Sequence, residues 1–163
     1  MKAQLFALAA TALIAAARLG GRCGFAGALG EDEDSRFVLD YFARENVSTK
    51  YVVRQPEARP VLSTVVLDTR RQSRAIFFDT ARAQGAAAEA PAEKVIRATR
   101  VLLVDNFGVR GMIRAARIAR AAGIPIVADF ESHDLPGFSR LLGLVDHLIL
   151  SEDFACELSR TGS

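Results

Sequence analysis

The sequence predicts an α/β fold: three layers, a mostly parallel, doubly wound sheet, and a small β lid. Three observations lead there. Short β-rich runs alternate with amphipathic helical patterns along most of the chain, the sign of βαβ units. One run, "VLLVD" (101–105), is apolar up to its final aspartate, as a strand covered on both faces requires. Between about 50 and 79, β-rich runs follow one another with no helix between them, which points to an antiparallel hairpin or flap beside the main sheet.

The elements follow in order. In "MKAQLFALAATALIAAARLGG", Leu5, Phe6, Leu8, Ala9, Ala12, Leu13 and Ala16 make an apolar helical stripe. "RCGFAGALG" (22–30) reads as a short strand ending in glycine. "EDEDSRFVLDYFAREN" (31–46) has the acidic start that suits a helix N-terminus, with Asp34 or Ser35 as cap. Phe37, Val38, Tyr41 and Phe42 repeat at helical spacing, and Asn46 is a stop. "KYVVR", "VLSTVVLD" and "RAIFFD" are rich in β-branched and aromatic residues and are separated by polar turns. An Ala-rich loop with Pro91 leads into a short helix.

The clearest segment runs from Val101 to Glu131. After the first strand, Val109, Met112, Ile113, Ala116 and Ala119 form one helix face, with Arg110, Arg114, Arg117 and Arg120 on the outer, solvated side. Gly123 ends that helix and "IPIVADF" is the next strand, giving a right-handed βαβ unit. "FSRLLGLVD" is a short helix, "HLILS" another parallel strand, and "EDFACELSRTG" a last helix.

Composition bounds the function. The chain has 163 residues, half of them apolar and a quarter charged, enough for one domain with a real core. A net charge of +2, with arginines scattered, excludes nucleic acid or an anionic membrane as the expected partner. Past the first twenty residues no apolar run is long enough to span a bilayer. Cys23 and Cys156 lack metal-ligand spacing and read as buried free thiols. No G-x-x-x-x-G-K-S/T, G-x-G-x-x-G or G-x-S-x-G motif is present.

In an open parallel sheet, ligands bind beyond the carboxyl ends of the strands. Three such ends carry oxygen-bearing side chains: Asp105 and Asn106, then Asp129 and Glu131, then Ser151, Glu152 and Asp153. Carboxylates and an amide there suit sugar hydroxyls or the waters of a Mg2+ ion. For Ser151 and Asp153, capping of the next helix is the competing reading. His133 follows the second strand end; His147 begins a strand and reads as structural.

The order of these pieces resembles the ribokinase-like, PfkB-type carbohydrate kinases. The segment from "ALAATALIAAARLGG" through "GALGEDEDSRF" to "NVST" is similar to that family's small-residue helix, strand, acidic G-x-x-G-D-D motif and following helix. "LSTVVLDTRRQSRAIFF" resembles its lid strands, with Arg71 or Gln72 where a turn glycine is usual. "VLLVDNF", "ARIARAAGIPIVADFE" and "LLGLVDHLILSEDFACEL" match its central βαβαβ, and the Ser151-Glu152 pair looks most like the branch that includes sulfosugar kinases. The resemblance implies phosphoryl transfer from ATP to a sugar hydroxyl with Mg2+. It places Asp105, Asn106 and the lid residue Thr64 towards the sugar, Asp129 and Glu131 towards the metal and phosphates, and Ser151 and Glu152 at the nucleotide. It also implies a cytoplasmic protein and admits a homodimer through the lid.

The chain departs from the pattern in three places. Phe154 stands in the register of the metal-organising glutamate of the family's N-x-x-E motif, where Ser151 replaces the asparagine. The family's first strand with its sugar-binding aspartate has no counterpart. Nor does the D-T-x-G-A-G-D segment that supplies the anion hole and catalytic base, so no catalytic residue is assigned. The expectation is one incomplete kinase domain over 1–163, with lid strands at about 50–79, that binds without turning over. The alternatives are a non-catalytic sugar- or nucleotide-binding or regulatory module, and an exported α/β protein whose leader is cleaved near Ala17. The helix reading of the opening stretch is preferred to a leader, because its removal would uncover one face of the sheet.

Overall fold

The computed structural model describes residues 8–160. The chain forms two compact units, Met1–Gln84 and Gly85–Ser163. Leu5 and Phe6 of the expected stripe lie outside the described residues.

In the first unit, helix α1 spans Leu8–Arg18. It is apolar nearly all round, so periodicity alone could not choose its buried face. The structure chooses Ala9, Ala10 and Ile14; Ala16, counted in the expected stripe, is exposed. Ala10 and Ile14 join Leu29, Val38, Phe42 and Val47 in one core, and the rings of Phe25 and Phe42 lie 5.0 Å apart. Fully burying each large member contributes about 1.5–3 kcal/mol. The Arg18 guanidinium donates to Glu45 at 2.8 Å, tying the end of α1 to the residue after α2.

The "RCGFAGALG" run contributes only strand β1, Ala28–Leu29. Helix α2 follows over Glu33–Arg44, and strand β2, Val53–Arg54, pairs with β1 in parallel. The cap of α2 is Asp32, two residues before Asp34 and three before Ser35, the expected caps. Its Oδ1 accepts from the Ser35 N–H at 3.0 Å and its Oδ2 from the Ser35 hydroxyl at 2.7 Å. Ser35 Oγ in turn accepts from the Gly30 N–H at 3.0 Å. A Cβ on Gly30 would meet the Ala58 carbonyl oxygen at 2.1 Å, so only glycine admits that crossing of backbones. Asn46 stops α2 as expected, with φ of 58° in the left-handed region.

Strands β3 (Leu62–Asp68) and β4 (Ser73–Asp79) form an antiparallel hairpin with Leu62 opposite Asp79 and Thr64 opposite Phe77. Of the three β-rich runs expected between about 50 and 79, these two make the hairpin; the first is β2, paired elsewhere. In the turn, Asp68 Oδ1 accepts from the N–H groups of Arg70 and Arg71, and Gln72 takes φ of 50°. Gln72, not Arg71, therefore occupies the glycine-like position.

The second unit begins with α3 (Glu93–Arg97) and then alternates β5 (Leu102–Val104), α4 (Val109–Ala121), β6 (Ile126–Asp129), α5 (Phe138–Leu142), β7 (His147–Ile149) and α6 (Glu152–Ser159). The strands form a parallel sheet in the order β5-β6-β7. Ile126, Ala128 and Phe130 are fully buried against Ile113, Ala116 and Ala119 of α4. Of the arginine row, Arg114 is not simply solvated: it donates to the Pro91 carbonyl at 2.9 Å. At the start of α4, Gly108 takes φ of 77°, and a Cβ there would meet the Ala86 nitrogen at 2.2 Å. Both cysteines are free, and they are half-buried, not fully buried as expected.

Candidate functional site

The parallel register of β5, β6 and β7 brings three strand ends to one edge of the second unit's sheet. Val104 pairs with Ala128, and Asp129 with Ile149, so the residues just beyond each strand are neighbours. Each side chain there has a different job.

Asp105 follows β5 and is buried, with its Oδ1 accepting from the Phe107 N–H at 2.8 Å. Burial pushes its carboxyl up to about 6; the Phe107 N–H opposes this and the negative charge of Asp129 adds to it. Asp129, the last residue of β6, is also raised by burial. Glu131 is raised by burial and by Asp129. Among the described residues, none of the three has a Lys, Arg or His nitrogen within 4.0 Å. Two adjacent strand ends thus place carboxylates together with no ion-pair partner among the described residues.

Asn106 is a clamp. Its Nδ2 donates to the Ser132 carbonyl at 2.6 Å, and its Oδ1 accepts from the Glu131 N–H at 2.9 Å. Both ends of the amide hold the loop after β6 onto the end of β5, which positions Glu131. Ser151 caps α6, accepting from the Phe154 N–H at 3.2 Å. Glu152 is exposed in the first turn of that helix. Phe154 is buried and packs edge-on near Phe138, so this register offers no carboxylate. The two ring nitrogens of His133 face Asp134 at 3.2 Å and Glu157 at 3.0 Å.

Asp105, Asn106, Asp129 and Glu131 are therefore brought together, with Ser151 and Glu152 at the end of the neighbouring strand. Thr64 is in the first unit, exposed on β3. No group of three or more His, Cys, Asp or Glu able to hold a metal occurs among the described residues. Mg2+ does not require one: it keeps several waters and takes one or two carboxylates together with substrate phosphates. The Asp129 and Glu131 pair fits that donor set.

Two features escaped sequence reasoning. The Gly30–Asp32–Ser35 network was missed because capping was placed within the helix. At the base of the hairpin, Arg59, Pro60, Leu62, Asp79, Ala81 and Arg82 line a cleft. Its signal was the β3/β4 register, which sets the chain before β3 beside the chain after β4.

Among the described residues, no helix is long and apolar enough to cross a membrane. A 68-residue stretch is 37% identical to a fructokinase from Vibrio alginolyticus, covering 42% of this chain and 22% of that protein. The fold is similar to the crystal structure of a putative ribokinase from Agrobacterium tumefaciens, with a TM-score of 0.84 and 27% identity over 96% of this chain and 51% of that one. A fructokinase from Xylella fastidiosa, solved with bound ATP, gives a TM-score of 0.78 and 27% identity over 93% of this chain and 52% of its own. The chain thus spans about half the length of these solved relatives. It shares their three-layer α/β, ribokinase-like fold class. The pattern that describes the "pfkB family carbohydrate kinase" matches residues 9–161, all but a few residues at each end, and with the fold and the acidic strand edge in place the chain belongs to the pfkB family of carbohydrate kinases.

Proposed function

We propose that this chain is the sugar- and nucleotide-binding part of an ATP-dependent carbohydrate kinase, acting in the cytoplasm. The observation that carries the reading is the uncompensated carboxylate edge formed by Asp105, Asp129 and Glu131 in a chain of this family. Asp105 accepts hydrogen bonds from sugar hydroxyls; on the hairpin, taken by itself, Thr64 is a second candidate to do so. Asn106 keeps the loop bearing Glu131 in place. Asp129 and Glu131 hold Mg2+, which when bound supplies neutralisation of phosphate charge. Ser151 and Glu152 lie towards the nucleotide. The packing of Ala10 and Ile14 into the first unit's core supports a retained α1 over a cleaved leader. The Ser151-Glu152 pair alone supports the finer placement beside sulfosugar kinases.

No residue of the chain is assigned as the catalytic base, so binding is the activity to measure. Calorimetric titration of the protein with ATP is expected to show tighter binding with Mg2+ than without. The double substitution Asp129→Asn, Glu131→Gln is expected to remove that Mg2+ dependence, about tenfold in Kd, while sugar affinity changes little. A metal dependence unaltered by the double variant would sink the reading.

One observation favours a second reading, a non-catalytic binding or regulatory module: the apolar, buried Phe154 in the register of the family's metal-organising glutamate. Binding of sugar and ATP with no Mg2+ dependence at all would select it.

A further inference from the structure

The loop after β6 carries Glu131 and is held from two sides. Its roots are fixed by the core: Phe130 and Phe138 are buried, with ring centroids 5.0 Å apart. Between those roots Glu131, His133 and Asp134 are exposed. Among the described residues, side chains from two other segments reach this stretch. Asn106, just past β5, bonds the Glu131 N–H and the Ser132 carbonyl. Glu157, on α6, brings its Oε1 to 3.0 Å from His133 Nε2.

The imidazole has a defined seat. Its ring centroid lies 6.0 Å from that of Phe154 and 6.5 Å from that of Phe138. Those two phenylalanines meet edge-on at 6.4 Å and join α6 to α5. Phe154, which brings no carboxylate to its register, thus gives His133 an aromatic wall. The other ring nitrogen, Nδ1, is 3.2 Å from Asp134, the next residue in the chain. That contact is local and fixes nothing beyond the loop. A neutral imidazole carries one N–H; placed on Nε2, it serves Glu157, while the exposed Asp134 is free to turn into water. The Glu157 contact joins the loop bearing Glu131 to the helix that Ser151 caps and whose first turn carries Glu152.

We propose that His133 is a positioning residue for Glu131: seated on Phe154 and held by Glu157, it fixes the α6 side of the loop that Asn106 clamps on the β5 side. With both sides fixed, Glu131 stays beside Asp129 at the spacing one Mg2+ ion needs. With the α6 side released, the loop pivots about Asn106 and the pair is less often in place. Groups that touch no metal but orient its ligands tune affinity in this way. The contact is open to water, so its effect is smaller than that of a buried one, about threefold in affinity. The proposal rests on the reading that Asp129 and Glu131 hold Mg2+, and it adds a residue outside the strand ends to that site.

The test is calorimetric titration of the full chain with ATP, with and without Mg2+, joined to hydrogen exchange at the Glu131 amide. His133→Ala and Glu157→Ala are each expected to weaken ATP binding about threefold when Mg2+ is present and to leave it unchanged without the metal. The double variant is expected to lose no more than either single one, since both break the same contact. His133→Gln keeps an N–H at about the reach of Nε2, and Glu157→Gln keeps an acceptor oxygen, so both are expected to bind as the wild type does. In metal-free His133→Ala the Glu131 amide is expected to exchange faster at an unchanged melting temperature. Alanine variants with wild-type Mg2+ dependence would overturn the proposal and leave the metal reading intact. Equal weakening with and without Mg2+ would also overturn it, because loss of fold alone gives that result. Glutamine variants as weak as the alanine ones would overturn it too, by showing that charge and not position is at issue. If the wild type binds ATP with no Mg2+ dependence, both readings fail together.

Discussion

Asp105 shows how a single residue can be named from sequence and yet have its chemistry set by the fold. Its position at a strand end was readable; its burial was not, since that depends on Asp129 and the loop after β6 arriving beside it. The consequence is a testable pH dependence. The folded protein holds the Asp105 proton more tightly than the unfolded chain, because its carboxyl sits at about 6 and not near 3.8. Its ionisation therefore weakens the fold: full stability is present below about pH 4 and is lost as pH rises through about 6. The effect is on the order of 2–3 kcal/mol. Asp105→Asn keeps an acceptor for the Phe107 N–H and removes the charge. It is expected to raise the melting temperature at pH 8, with the gain over wild type fading as pH falls towards 4. A gain that is the same at every pH would show that Asp105 carries no such cost. Asp32, Glu31 and Glu45 are held below their ordinary values and act in the opposite sense at lower pH, equally in both proteins.

At the scale of the element, Ser151 separates a structural role from a binding role. Its hydroxyl accepts from the Phe154 N–H at the start of α6. Ser151→Ala is expected to cost about 1 kcal/mol in urea unfolding, whereas Ser151→Asp preserves the cap. If Ser151 also touches the nucleotide, the aspartate variant keeps its stability and loses ATP affinity through charge repulsion. Unchanged ATP binding in the aspartate variant would reduce Ser151 to a cap. The elements themselves were legible where periodicity and punctuation agreed. Asn46 and Gly123 ended helices as expected, and "VLLVD", "IPIVADF" and "HLILS" each contain a strand. Legibility failed where one local signal served two outcomes. Several acidic and hydroxyl residues near position 32 could all cap a helix, and only the buried Ser35 and Gly30 contacts select Asp32. "KYVVR" had strand composition, but composition does not name a partner, and β2 found β1.

For the molecule as a whole, the hairpin carries a cluster of exposed apolar residues. Val66, Leu67, Phe77 and Phe78 are each more than half exposed, at 52%, 68%, 63% and 56%. A two-stranded hairpin is marginal by itself in water, and one wet on both faces favours association. Sedimentation velocity across a concentration series is expected to show reversible self-association. Leu67→Ser with Phe78→Ser should shift it towards monomer. These residues lie on the face opposite Leu62 and Thr64, so sugar binding should be spared. A monomer at every concentration would remove the hairpin as an interface.

The sequence by itself determined the α/β class, the succession of elements in the second unit and the residues at its strand ends, because these follow from local patterns of apolar and polar side chains. The tertiary structure alone decided which of those residues are buried, which are clamps and which are caps. It also brought Arg59 beside Arg82, more than twenty positions apart in the chain. Burial, charge coupling and strand register are set by partners distant in sequence, and no local pattern encodes which partner arrives.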